Sequence, residues 1–118
     1  MRKNKKKNFQ APKGMVDILP EDQVYWEKLF QIGKNIFEAY GFSRLETPIL
    51  EETDLFIHTT GESTDIVEKQ MYSFRTKGGD YLSLRPEGTP GVIRAYLEHG
   101  FMGQPQPVKF YYFGPFFR

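Results

Sequence analysis

Residues 81–100 read YLSLRPEGTPGVIRAYLEHG, and their hydrophobic period changes halfway. Asp80 to Arg85 alternates like a strand, whereas Gly91 to Glu98 has the 3–4 spacing of a helix. Between them, Arg85-Pro86-Glu87-Gly88-Thr89-Pro90 brings two prolines and a glycine together, so the chain must turn there. Thr89 is placed to cap the helix, and Pro90 to fill its first position, where a missing N–H costs nothing. Val92, Ile93, Tyr96 and Leu97 form the predicted apolar face, and Gly100 is the stop.

Upstream, Gln70 to Arg75 alternates as well, and Lys77-Gly78-Gly79 makes a hairpin with Asp80–Arg85 the expected connection. Residues 59–65, TTGESTD, read as a polar loop, and 51–58 as a helical turn. Phe42 to Thr47 reads as a short strand closed by Pro48, which cannot donate to a ladder. Before it, a long helix is predicted from Glu21 or Asp22, with acids at its positive end. Trp26, Leu29, Phe30, Ile36, Phe37 and Tyr40 fall on one stripe of it, and Gly41 ends it. Burial of those six would contribute about 1.5–3 kcal/mol each before entropy, so the helix is expected to pack against something. Downstream, residues 101–107 form a Pro- and Gly-containing connection, and Val108 to Phe113 a strong strand. Gly114-Pro115 and Phe116-Phe117-Arg118 follow, and a strand end of this kind is expected to continue into a partner strand.

Composition bounds the class. The 118 residues are 39% hydrophobic and 16% aromatic, enough for one globular core. No cysteine is present, so disulfides and thiolate metal sites are excluded. That suits a cytoplasmic protein. No apolar run approaches a membrane span, and the basic N-terminus lacks the apolar stretch of a secretory signal. His58 and His99 stand too far apart to suggest zinc. Arg2, Lys3, Lys5, Lys6 and Lys7 concentrate +5 in the first ten residues, leaving 11 bases against 15 acids elsewhere. Residues 1–10 therefore read as a basic disordered tail and 11–118 as the domain.

Four stretches, in order, resemble histidyl-tRNA synthetases. They are the lead-in KGMVDILP (13–20); the long helix with GFSRLETPILE (41–51), similar to motif 1 of class II synthetases; GESTDIVEKQMYSF (61–74) with LSLRPEGTPGVIRAYLE (82–98); and VKFYYFGPFFR (108–118), similar to the opening of motif 2. The resemblance implies an α+β fold, an antiparallel sheet flanked by helices, forming part of a class II catalytic core cut within motif 2. It implies a homodimer joined through motif 1 and a reaction in two steps. Histidine and ATP, with Mg2+, give histidyl-adenylate, and the histidyl group then passes to the 3′ end of tRNA(His). The stretch past Arg118 that would complete motif 2, motif 3 and an anticodon-binding domain is lacking, so the chain alone is expected to be inactive. A synthetase-like regulatory subunit of ATP phosphoribosyltransferase, which charges no tRNA, shares the fold. So does a synthetase-like domain attached to a kinase that senses uncharged tRNA.

In the family, the residues matching Glu87, Gly88 and Thr89 line the amino-acid pocket. A carboxylate suits the substrate ammonium, and Gly88 lets a ligand approach closely. The alternative is that Glu87 and Thr89 only cap the helix at 90–99. Arg118 matches the motif 2 arginine, implied to touch both the amino acid and ATP and to act in catalysis. A guanidinium fork can hold a carboxylate and the phosphate it attacks. Arg85 either pairs with an acid or supports the pocket, with the structural role favoured. The aromatics at 72, 74, 111–113, 116 and 117 read as core and interface. The basic tail reads as a solvated end, the alternative being a weak, salt-sensitive tether for RNA phosphates. Deleting residues 1–10 is expected to leave RNA affinity at low salt unchanged in a filter-binding titration.

Overall fold

A computed structural model describes residues 7–60 and 69–118. Residues 1–6 of the basic tail and the Gly61–Asp65 part of the predicted polar loop lie outside them. The chain divides into two compact units, one reaching Ile36 and the other running from Phe37 to Arg118.

Helix α1 spans Pro20–Ala39 and opens with proline, whose fixed φ suits a first helical turn, followed by Glu21 and Asp22. Its end is a Schellman turn. Gly41 takes φ +83°, its N–H donates to Glu38 O (3.1 Å), and Phe42 N–H donates to Phe37 O (2.9 Å). The Phe37 and Phe42 rings meet edge-on at 5.8 Å, the apolar contact that accompanies such a turn. No residue of α1 is buried. The stripe expected to be covered stays open, with Leu29 at 58% and Ile36 at 52% exposure. Phe37, at the end of the stripe, is the member that packs on Phe42 and Tyr111, so only part of the anticipated transfer free energy is realised.

Beyond the turn, β1 (Ser43–Arg44) pairs in parallel with β5 (Phe110–Tyr111). The predicted strands around them were longer; the register covers only Ser43–Phe110 and Arg44–Tyr111, and Ser43 and Leu45 donate to Lys109 O and Tyr111 O at 3.0 Å each. Tyr111 is buried, stacks on Phe37 at 5.1 Å and donates its hydroxyl to Glu38. Burial first, and the Glu38 carboxylate second, raise its pKa above the usual tyrosine value.

The main sheet is antiparallel, in the order β2 (Leu50–Glu52), β4 (Tyr81–Leu84), β3 (Ser73–Arg75). The predicted hairpin is β3–β4, with Gly79 at φ +93° in its turn. Helix α2 (Thr53–Thr60) follows β2 directly, and α3 (Thr89–Glu98) follows β4. The interior is partly polar. Thr53 and Ser83 are fully buried, and their hydroxyls join at 2.7 Å, with Ser73 adding a 2.6 Å bond to Ser83. Each hydroxyl thus has the partner that burial demands. Phe56, Met71 and Ile57 make the apolar cluster beside them.

Helix α3 uses its predicted face only in part: Val92 and Tyr96 are half-buried. Ile93 and Leu97 are about half exposed, while Pro90, Gly91 and Ala95 are buried. A Cβ on Gly91 would lie 3.2 Å from Thr47 Oγ1, so only a small side chain lets the helix approach so closely. The helix is secured instead by charge. Arg94 grips the buried Glu51 carboxylate with two bonds, Nε–Oε2 at 2.7 Å and Nη2–Oε1 at 2.8 Å, and also meets Glu98 one turn on. The Glu51 bond is the main cause of a further rise in the Arg94 pKa. Such a fork is strong in geometry, but its removal leaves a desolvated carboxylate. Arg94→Met is therefore expected to destabilise the chain by about 2–4 kcal/mol, and Glu51→Met/Arg94→Met by clearly less, in urea unfolding followed by circular dichroism.

Candidate functional site

Strand β4 ends at Leu84, and the chain turns through residues 85–88 into α3. Period 2 along β4 puts Tyr81, Ser83 and Arg85 on one face, and Ser83 and Arg85 on it are buried. Two polar residues in succession on an inward face were a readable signal of a polar site. Arg85 is 6% exposed. Of the two readings offered for it, pairing with an acid is not seen among the described residues. It bonds oxygens of Thr47 and Pro115 and lies 4.7 Å from the centre of the Phe116 ring.

Gly88 is buried and is itself the N-cap of α3, with φ −94° and ψ −29°. Thr89 is the first helical residue rather than the cap, and no side chain caps this end. Proline next in line presets the turn, so the helix starts one residue earlier than Thr89 capping would have it. The Thr89 hydroxyl is thus not spent on the cap, and Thr89 is exposed. Glu87 is also exposed, and its carboxylate has no partner among the described residues. The need for glycine at 88 is steric: a Cβ there would lie 2.6 Å from Cζ and 2.8 Å from the hydroxyl of Tyr112. Tyr112, read from the sequence only as a core or interface aromatic, therefore sits directly against the 87–89 turn.

The segment after β5 returns to the same place. Phe117 N–H donates to Arg85 O at 2.9 Å, and Arg85 N–H donates to Ile49 O at 2.9 Å. Arg118 follows, exposed, with one long bond of 3.5 Å to Gln70 just ahead of β3. Two segments far apart in sequence, 85–89 and 112–118, thus adjoin, with Pro115, Phe116 and Phe117 on Arg85 and Tyr112 on Gly88. A cavity of about 220 Å³ opens beside them, lined among others by Thr47, Ile49, Arg85, Tyr112 and Pro115. It offers donors and aromatic faces, whereas Glu87 and Arg118 stand outside its lining. A second cavity, of about 320 Å³, is bordered by Glu51, Asp54, His58 and Arg94. Among the described residues no group of three or more His, Asp or Glu is arranged to hold a metal.

A family model described as histidyl-tRNA synthetase matches residues 14–118. A histidine–tRNA ligase of Dehalococcoides mccartyi is 52% identical over 110 residues, which make up 93% of this chain and 26% of that protein. One from Geobacillus thermodenitrificans is 49% identical over 111 residues, again 93% and 26%. Among solved structures, apo histidyl-tRNA synthetase of S. aureus matches with a TM-score of 0.80 and 40% identity over 94% of this chain and 26% of that one. A Bacillus halodurans protein described as an ATP phosphoribosyltransferase regulatory subunit/histidyl-tRNA synthetase matches at TM-score 0.74 over 92% of this chain and 27% of its own, but at 23% identity, a likeness of fold alone. The chain spans about a quarter of the length of the curated relatives it matches.

The contact between Gly88 and Tyr112 is directly testable. Gly88→Ala is expected to cost about 1–3 kcal/mol of stability in denaturant unfolding, as overpacking does. Most of that cost should be recovered in Gly88→Ala/Tyr112→Leu, which clears the ring.

Proposed function

The chain belongs to the histidyl-tRNA synthetase family, and from that premise we propose that it supplies part of the amino-acid and ATP site of a histidine–tRNA ligase. The substrates are histidine, ATP and tRNA(His), and the setting is the cytoplasm. The observation that carries this reading is the meeting of 85–89 with 112–118, through Phe117 on Arg85 and Tyr112 on Gly88. It brings the segment of the exposed Glu87 beside the segment that ends in Arg118, whose guanidinium has one long bond to Gln70.

The chemistry follows from those two groups. Glu87 accepts hydrogen bonds from the ammonium of histidine, and Gly88 and Thr89 line the same side. The substrate carboxylate is left free to attack the α-phosphorus of ATP. One phosphorus–oxygen bond forms to the carboxylate, the bond to the departing pyrophosphate breaks, and the product is histidyl-adenylate. Arg118 contacts both the carboxylate and the phosphate and gains strength as charge builds on the phosphate oxygens. No side chain forms a covalent bond; positioning and charge supply the rate. Transfer of the histidyl group to the tRNA 3′ end then completes charging. Magnesium would accompany ATP; the described residues offer no ligand cluster for it, and no step here depends on it.

Assembly as a homodimer through the motif 1 region is the second part of the proposal. Its support is the partly exposed apolar stripe of α1, where Leu29 and Ile36 are 58% and 52% exposed. A soluble monomer rarely leaves so much contiguous apolar surface open. No helix among the described residues is long and apolar enough to cross a membrane, so a bilayer-spanning helix does not account for the stripe. A ligase is favoured over the regulatory relative because the ligases are about half identical over nearly the whole chain, whereas the likeness to that relative extends to fold alone.

Histidine-dependent ATP–pyrophosphate exchange tests the reading in a full-length family enzyme bearing these residues. Glu87→Gln is expected to raise KM for histidine about 10- to 100-fold, since it replaces a charged acceptor by a neutral one. Arg118→Ala is expected to lower kcat about 100- to 1000-fold. Exchange that persists unchanged in both variants would refute the proposal.

A further inference from the structure

Arg85 is a charged group at 6% exposure, and burial of charge is costly unless it is paired. The buried carboxylate of Glu51 is already held by Arg94. Arg85 is compensated by neutral groups instead. Its Nε donates to Pro115 O at 3.0 Å, and its Nη1 to Thr47 O and Oγ1 at 3.2 and 3.3 Å. The guanidinium also faces the Phe116 ring at 4.7 Å. At Gly114 a Cβ would overlap Nη2, so the chain passes directly against the guanidinium there. The main chain of the same residue holds Ile49 through its N–H and Phe117 through its carbonyl.

Every one of these partners lies on one of two segments: 47–49, which leads into β2, or 114–117, which leads to Arg118. None lies in the 87–89 turn. For stability alone, a well-packed apolar residue would serve here without the desolvation cost. What the planar fork adds is direction, because its donors leave at fixed angles and oblige the Pro115 and Thr47 carbonyls to meet them. Arg118 has no comparable anchor, only the long bond to exposed Gln70. Its place is set by Phe117, and that of Phe117 by Arg85.

Resting on the reading that Arg118 meets the reacting phosphate, we infer that Arg85 is a positioning residue for histidine activation: clamped on Thr47, Pro115 and Phe116, it sets where Arg118 stands relative to Glu87. It touches no reacting atom, and its effect belongs to the chemical step rather than to histidine binding.

The test is kinetic, in a full-length family enzyme bearing these residues. Arg85→Lys keeps the charge and loses the fork. Its kcat for ATP–pyrophosphate exchange, per folded molecule, is expected to fall about 10- to 100-fold, with KM for histidine within about threefold of the parent. Gly114→Ala displaces the guanidinium from the other side and should produce the same split. In an Arg118→Ala background, Arg85→Lys should add no further loss, because it acts through Arg118. Unchanged kcat with only a lower melting temperature overturns the inference; so does a rise in KM alone, or losses that multiply in the double variant. Arg118→Ala alone separates the two claims. If it abolishes exchange while Arg85→Lys does not impair it, only the positioning role fails. If it is itself unimpaired, the site reading fails and takes this inference with it.

Discussion

A guanidinium held out of water without a carboxylate has to be solvated by something, and in this fold it is solvated by the main chain. Arg85 takes that part with the carbonyls of Thr47 and Pro115, and its own backbone adds Ile49 and Phe117. Two distant stretches of sequence thereby converge on one residue at the end of β4. An apolar residue at 85 could pack against Phe116, but it would fix no direction for those carbonyls. The layout of the polar end of the sheet follows from this requirement.

The remaining contacts divide between those that fix the frame and those that leave groups free. Arg94 on Glu51, the buried hydroxyls of Thr53 and Ser83 and the half-buried one of Ser73 bind α2, α3 and the sheet through paired polar groups. Tyr111 performs a similar task at the Schellman turn of α1, stacked on Phe37 and bonded to Glu38. Glu87 and Arg118, by contrast, are exposed and little engaged. A ligand-binding group has to keep its hydrogen-bonding capacity unspent, and these two do.

Several elements were legible because their signals are local. The Lys77-Gly78-Gly79 hairpin, the Gly41 stop and the strand-to-helix change around Pro86–Pro90 depend only on neighbouring residues, and all are present. The apolar face of α3 was read only in part because periodicity counts large side chains, whereas Gly91, which permits the close approach to Thr47 and Glu51, and Ala95 are the buried positions. The stripe on α1 was read correctly as apolar, but a pattern says that a surface seeks cover, not that the same chain supplies it. Thr89 was taken for a cap because threonine often is one; Pro90 and Gly88 together shifted the start by one residue.

The family, the order of its motifs and the residue types able to hold an ammonium and a phosphate were determined by the sequence by itself, since each is carried by short runs of neighbouring residues. The parallel pairing of β1 with β5, the seat of Tyr112 on Gly88 and the clamp of Arg85 on Pro115 were decided only by the tertiary structure. Each joins residues 24 to 67 positions apart, as their numbers show. Contacts of that kind arise from packing and from the satisfaction of buried polar groups, and neither leaves a trace in local spacing.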